Sequence, residues 1–271
     1  MADVTPAVLI TGATSGLGRY LARELAGSGW QVLAHGRDPG RVADLSAELG
    51  GDARGYVADL ASLGDVRELA ALVRAEVPRL DVLVNNAAVG FGAPGEGRQV
   101  SADGHELRFA VNYLAPVLFT RLLVPLLTAS APSRILNVAS LGQVGFDPAD
   151  AEFEHGYQGV EAYRRSKLAL AAFTFDLASE LEAAKVTVNC SHPATFMNTA
   201  MVTDSGITPV STLEQGGEAT MRLITDPALD GVTGQFFDGL KTSRARPEAY
   251  DPQFRAELRA VTDRMLGAAP S

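Results

Sequence analysis

Tyr163 and Lys167 stand four residues apart in Tyr163-Arg164-Arg165-Ser166-Lys167, and Ser140 closes the apolar run Ile135-Leu136-Asn137-Val138-Ala139-Ser140. Residues at that spacing on a helix share a face, so a phenol and an ammonium can reach one site. A phenol is a poor acid–base catalyst at neutral pH because its ordinary pKa is near ~10. A neighbouring ammonium favours the ionised form and draws it toward the working range. Near the N-terminus stands a second constellation, Thr11-Gly12-Ala13-Thr14-Ser15-Gly16-Leu17-Gly18. Glycines between a strand and a helix permit a tight turn, let backbone N–H groups approach a pyrophosphate, and present the helix's positive end to it. Each feature also has a plain structural explanation: a half-buried tyrosine, a solvated lysine, a strand terminator, an ordinary turn.

The elements that must position these residues are legible as short β-branched runs at 7–11, 31–35, 54–58, 81–84, 134–138, 186–190 and 235–238, separated by helical patterns at 17–28, 39–49, 62–77, 104–129, 161–184 and 214–225. Strand and helix alternate, which predicts an α/β fold: one Rossmann-type doubly wound domain over 1–271, with a seven-stranded parallel sheet covered by helices on both faces. Its core spans 7–240, and 241–271 forms an extension with a last helix near 254–266. Ligands of such sheets bind beyond the carboxyl ends of the strands, where the strand order reverses.

The second strand ends Ala34-His35-Gly36-Arg37-Asp38. An NAD site needs a carboxylate there for the ribose 2′-hydroxyl, whereas an NADP site needs a cation for the 2′-phosphate. Gly36 occupies the place of the discriminating acid and Arg37 follows it, which favours NADP(H) over NAD(H). The competing explanation is a solvated Arg37, with Asp38 capping the next helix. His35 has no metal partner at suitable spacing and reads as structural.

Gly12, Gly16 and Gly18 are spaced Gly-x-x-x-Gly-x-Gly, a pattern that resembles the short-chain dehydrogenase/reductase family. Asp59-Leu60 resembles that family's adenine-contacting segment, and Asn85-Asn86-Ala87-Ala88 resembles its Asn-Asn-Ala-Gly turn with Ala88 in place of glycine. Asp59 reads equally well as a helix cap. The resemblance implies that Tyr163 exchanges a proton with the substrate oxygen while hydride passes between nicotinamide and carbon. It implies that Lys167 holds the nicotinamide ribose and tunes the phenol, that Ser140 hydrogen-bonds the substrate oxygen, and that Asn112 supports a water relay to the lysine. Thr14, Ser15 and Leu17 of the glycine turn, with Asn86 and Ala87, join the implied cofactor contacts. Pro193-Ala194 resembles a Pro-Gly turn over the nicotinamide, which adds Pro193, Thr195 and Thr199. Because Ala adopts positive φ less freely than Gly, that loop is expected to sit differently.

The segment 147–161, together with Ser166-Lys167-Leu168-Ala169 and His192-Pro193, is similar to the retinol dehydrogenase and protochlorophyllide reductase-like branch. That branch implies lipophilic or polycyclic carbonyl substrates. Loops 89–103, 141–160 and 194–213 carry Phe91, Phe146, Phe153, Tyr157, Phe196, Met197 and Met201, whose apolar surfaces suit such a substrate or, equally, satellite packing. The 194–213 segment could serve as a lid. Asp147, Asp150, Glu152 and Glu154 read as a solvated face, and no metal site is expected.

With 32 acidic against 23 basic residues and a net charge of -9, a phosphate-neutralising surface is not expected, and nucleic acid is an improbable partner. The one cysteine, Cys190, rules out an internal disulfide and suits a reducing compartment. A start without a basic, apolar leader and apolar runs far below ~20 residues predict a cytoplasmic protein with no membrane span. Apolar residues on the helices at 104–129 and 161–184 exceed what one sheet face covers, which permits a homodimer or homotetramer. The reading is an NADP(H)-dependent ketoreductase or alcohol dehydrogenase. Its rivals are the same fold and cofactor used for double-bond reduction, epimerisation or cyclisation, and a non-catalytic nucleotide-binding protein.

Overall fold

A computed structural model describes residues 5–93 and 95–267; the start of the chain through residue 4, read above for a leader, lies outside them. In chain order the elements are β1 (Ala7–Ile10), α1 (Gly16–Gly27), β2 (Gln31–Gly36), α2 (Pro39–Leu49), β3 (Arg54–Val57), α3 (Leu63–Glu76), β4 (Val82–Asn85), α4 (Leu107–Phe109), α5 (Ala115–Ala129), β5 (Ser133–Val138), α6 (Gly159–Glu180), β6 (Val186–His192), α7 (Ala200–Thr203), α8 (Leu213–Thr225), β7 (Phe236–Asp238), β8 (Lys241–Ser243) and α9 (Pro252–Met265). Helix starts follow local chemistry. Asp38, Ser62 and Asp251 accept hydrogen bonds from backbone N–H groups of α2, α3 and α9, and Thr212 with Gln215 forms a reciprocal capping box on α8.

The sheet has the order β3-β2-β1-β4-β5-β6-β7-β8. The seven parallel strands expected are present, and the sheet carries an eighth, β8, antiparallel to β7. Its polar Lys241-Thr242-Ser243 shows no apolar run because it is an edge strand closed by a tight turn at Gly239, φ 56°.

Strand residues alternate between two cores. Val8, Ile10, Val32 and Val84 pack under α1 and α8, while Leu9, Leu33, Leu83 and Ile135 pack under α3, α5 and α6. Each fully buried aliphatic side chain contributes about 1.5–3 kcal/mol.

The helical pattern at 104–129 is one unit broken by a π-turn at Ala110–Leu114 between α4 and α5. Together it spans 23 residues, long and apolar enough by composition to cross a bilayer, which corrects the expectation of short apolar runs only; here most of it is buried in the fold. The apolar excess on this unit and on α6 is partly covered by α9. Tyr113 meets Thr262 at 2.7 Å, Arg121 pairs with Asp263 at 2.6 Å, and Arg255 and Arg259 both pair with Asp176.

Candidate active site

The strand order reverses between β1 and β4, and the turns that follow these two strands are tied together. The Thr11 hydroxyl accepts from the N–H of Asn86 at 2.9 Å and of Ala87 at 3.1 Å, and the Asn86 amide donates back to the carbonyls of Thr11 and Gly12. Gly12 holds φ 67°, and a Cβ there would lie 2.9 Å from the Ala87 backbone. This close approach requires glycine. The α1 N-terminus has no side-chain cap and no acidic residue in its first turn, which leaves backbone donors facing the cleft.

A cleft of about 1820 Å³ runs along the carboxyl ends of the strands. Of the residues expected to form the site, Thr14, Ser15, Gly16, Leu17, Arg37, Asp59, Leu60, Ala88, Ser140, Tyr163, Lys167, Pro193, Thr195 and Thr199 line it, as do Gly12, Asn86 and Ala87. Gly18 lies behind the turn, where a Cβ would stand 2.2 Å from the Gly12 carbonyl oxygen. The glycine cradle and the uncapped helix end fit the diphosphate of a dinucleotide.

At the end of β2, a Cβ on Gly36 would stand 2.6 Å from the Thr14 methyl, which leaves little room for an acid. Arg37 is exposed beside it and Arg41, on α2, also lines the cleft. Asp38 caps α2 through Arg41 N–H, as its alternative explanation held. Asp59 does not cap α3; Ser62 does, and the Asp59 carboxylate accepts from Ala61 N–H at 2.9 Å.

Tyr163, Lys167 and Ser140 line the same cleft. Burial pushes the Tyr163 phenol up to about 12, and a hydrogen bond with the Ser140 side chain draws it back only in part. Lys167 is buried, donates to the Val138 carbonyl at 2.7 Å, and is lowered by burial to about 7. Its Nζ lies 5.6 Å from the centre of the Tyr163 ring. The pair lies in one cleft, as the four-residue spacing predicts, and desolvation is the leading cause of the shift at both groups.

Asn112 sits in the π-turn, buried and outside the cleft lining. Its side chain accepts from Val89 N–H at 2.7 Å and donates to the Val89 carbonyl at 3.0 Å and to the Ser166 hydroxyl at 3.1 Å. In this position it fixes the loop after β4.

The segment after β6 spans the cleft. Thr195 meets His192 Nε2 at 3.0 Å, and a Cβ on Gly16 would lie 3.3 Å from the Thr199 methyl. Positive φ falls on Phe196, at 43°, rather than on Ala194; a non-glycine residue in this region is strained, as is common near functional sites. Met201 packs onto Gly90 from the far side.

Among the aromatic and sulfur residues of the substrate loops, Phe91, Tyr157, Phe196, Met197 and Met201 line the cleft. Phe146 instead packs edge-on against Phe109 and Phe254, and Phe153 lies under the Arg165 guanidinium at 3.7 Å. Of the acidic residues of that loop, Asp147, Asp150 and Glu154 are exposed, as a solvated face requires, although Asp150 also pairs with Arg165; Glu152 is the exception, half-buried against Arg98 and His105.

Fold and site together define a dinucleotide-binding α/β protein with a buried tyrosine, lysine and serine in the wall of its cleft. The chain belongs to the short-chain dehydrogenase family, whose sequence model matches residues 6–208. It is 34% identical to human retinol dehydrogenase 13 over 97% of this chain and 86% of that one, and 35% identical to human retinol dehydrogenase 14 over 96% and 86%. A solved structure of an uncharacterized protein from Mycobacterium paratuberculosis superposes with a TM-score of 0.79 at 28% identity, covering 100% of this chain and 98% of that one. The Pseudomonas aeruginosa RhlG/NADP complex superposes with a TM-score of 0.71 at 28% identity, covering 87% and 95%. The protein is an oxidoreductase of this family, with a fold that binds a nicotinamide cofactor.

Proposed function

We propose that the protein transfers hydride between NADP(H) and the carbonyl or secondary alcohol of a small lipophilic molecule, with Tyr163 as general acid and base. The observation that carries this reading is that Tyr163, Ser140 and Lys167 line the same cleft as the glycine turn. The bound nicotinamide would supply or accept the hydride. Tyr163, holding its proton in the buried site, donates it to the carbonyl oxygen, and Ser140 supplies a second hydrogen bond to that oxygen. Lys167 anchors the cofactor ribose and, once its charge is compensated, restores the phenol's proton. Phe91, edge-on to the Tyr163 ring, forms part of the wall beside the reacting atoms.

The NADP preference is supported by the crowding at Gly36 and by Arg37 and Arg41 at the end of β2. A lipophilic substrate is supported by Leu141, Val160 and Phe196, exposed apolar residues lining the cleft, and by the retinol dehydrogenases among the relatives. The test is reduction of a panel of aldehydes and ketones, all-trans-retinal among them, with NADPH deuterated at C4. Deuterium on the carbinol carbon supports the reading. Deuterium on a former double-bond carbon, or turnover without net consumption of NADPH, replaces it with another reaction of the fold.

A further inference from the structure

Arg108 is a fully buried arginine, 1% exposed, on the short helix α4 immediately before the π-turn. A buried guanidinium persists only where its donors and its charge are met. Here Nε donates to the Gly90 carbonyl at 2.8 Å, Nη1 to the Tyr157 hydroxyl at 2.6 Å and Nη2 to Glu96 at 3.3 Å. The equally buried Glu106 lies 3.6 Å from Nη1 and accepts from the Tyr157 hydroxyl at 2.9 Å. One side chain thus pins the loop after β4 at Gly90 and Glu96, and the segment entering α6 at Tyr157.

Between these two pins the walls touch. A Cβ on Gly159 would stand 2.3 Å from the Phe91 carbonyl oxygen and 3.3 Å from Arg108 Nη2. Phe91, the residue after Gly90, meets the Tyr163 ring edge-on, with centroids 4.7 Å apart and planes at 72°. Asn112 grips Val89 through both its N–H and its carbonyl. The backbone on the N-terminal side of Phe91 is therefore held by three hydrogen bonds from two side chains of one helical unit. A loop fixed this firmly carries its aromatic ring to one place, and that place is the face of the phenol. The ring packs against Tyr163 and forms part of the wall against which a substrate would lie.

We propose that Arg108 is a positioning residue for the reaction, acting on Tyr163 through Phe91. This rests on the reading of Tyr163 as the acid–base group. Arg108 is not among the residues lining the cleft; it sets where Phe91 stands, and Phe91 sets the surroundings of the phenol. Small misplacements of a reacting group carry large rate costs.

The test places 3-fluorotyrosine at position 163 of the full chain and follows its ¹⁹F resonance, which needs no substrate. Arg108→Met and Phe91→Ala are expected to move the resonance in the same sense, and the double variant to match Phe91→Ala alone. In parallel, with residue 163 natural, NADPH-dependent reduction of all-trans-retinal is expected to lose about 10–100-fold in kcat in each single variant, with no further loss in the double variant. NADPH affinity, read by fluorescence, should stay within about twofold, and Arg108→Lys should recover part of kcat because it keeps the charge but not the forked donors.

An unmoved resonance in Arg108→Met overturns the proposal, as does an additive loss in the double variant or a fall in NADPH affinity matching the fall in kcat. Should Arg108→Met not fold, Tyr157→Phe removes one of its partners, and the same shift at reduced size is expected; none would overturn the proposal. Tyr163→Phe separates the two levels. If it abolishes turnover while Arg108→Met behaves as wild type, only this inference fails; if it retains turnover, the acid–base reading fails.

Discussion

The His35 ring stands between two cofactor-side turns: Nδ1 lies 3.3 Å from Gly12 N and Nε2 lies 3.1 Å from the Ala58 carbonyl oxygen. Gly12 N–H can only donate, so Nδ1 must accept, and Nε2 then carries the proton toward Ala58. The neutral ring thus ties the glycine turn after β1 to the loop after β3.

This arrangement predicts an acid-side weakness. Burial lowers the His35 pKa, opposed by the Ala58 bond and by Asp59. The unfolded chain takes up a proton near pH ~6.5 while the native ring resists it, so stability falls as pH drops below about 6.5 until the native pKa is passed, and is unaffected by this group above that range. His192, also lowered by burial, adds to the same slope, so the comparison needed is wild type against His35→Asn. A shallower acid-side fall in thermal midpoint for the variant is expected. Identical slopes would remove His35 as a cause.

Cofactor choice is expected to lie with the two arginines at the end of β2. Arg37→Ala with Arg41→Ala should raise the Kd for NADPH about 10- to 100-fold, the loss of charged hydrogen bonds, and leave that for NADH nearly unchanged. Titration of both nucleotides by fluorescence decides it. An equal loss for both would mean that the pair does not read a 2′-phosphate.

Lys167 should trade stability for function. Burial takes its pKa down to about 7, so between that value and the ordinary lysine range the unfolded chain holds a proton the native state resists, and apo stability rises with pH across this window. Lys167→Met removes that cost, and against it leaves the Val138 carbonyl without its donor. The variant is expected to melt higher than wild type at pH 7 without cofactor, and to turn over poorly. A lower melting midpoint would show that the amine is better accommodated than its burial implies.

The sequence carried the strands, the glycine turn and the tyrosine–lysine pair because each rests on local rules: period, glycine at a strand end, four-residue spacing. It did not show what depends on distant contacts. Arg108 reads as one more charged helix residue, and only the fold shows it buried among Glu96, Glu106 and Tyr157. The π-turn that aims Asn112 at Val89 has no period of its own. Phe146 and Phe153 were indistinguishable in type from Phe91, and only packing separates wall from core. Arg41 was hidden by the turn of helix between it and Arg37.

The C-terminal helix α9 is expected to contribute to stability through Tyr113, whose buried hydroxyl meets Thr262 at 2.7 Å. Thr262→Val strands that hydroxyl and should cost about 1–3 kcal/mol in urea unfolding, with NADPH affinity unchanged. No change in unfolding midpoint would mean that Tyr113 finds another partner.

The most direct test of the proposed chemistry is Tyr163→Phe, which removes one oxygen from a buried ring and leaves the edge contact with Phe91 in place. Turnover with NADPH and the best substrate of the carbonyl panel is measured beside NADPH binding. A fall of about 10²–10⁴-fold in kcat with binding retained is expected. Turnover within a few-fold of wild type would contradict the assignment of Tyr163 as the proton donor.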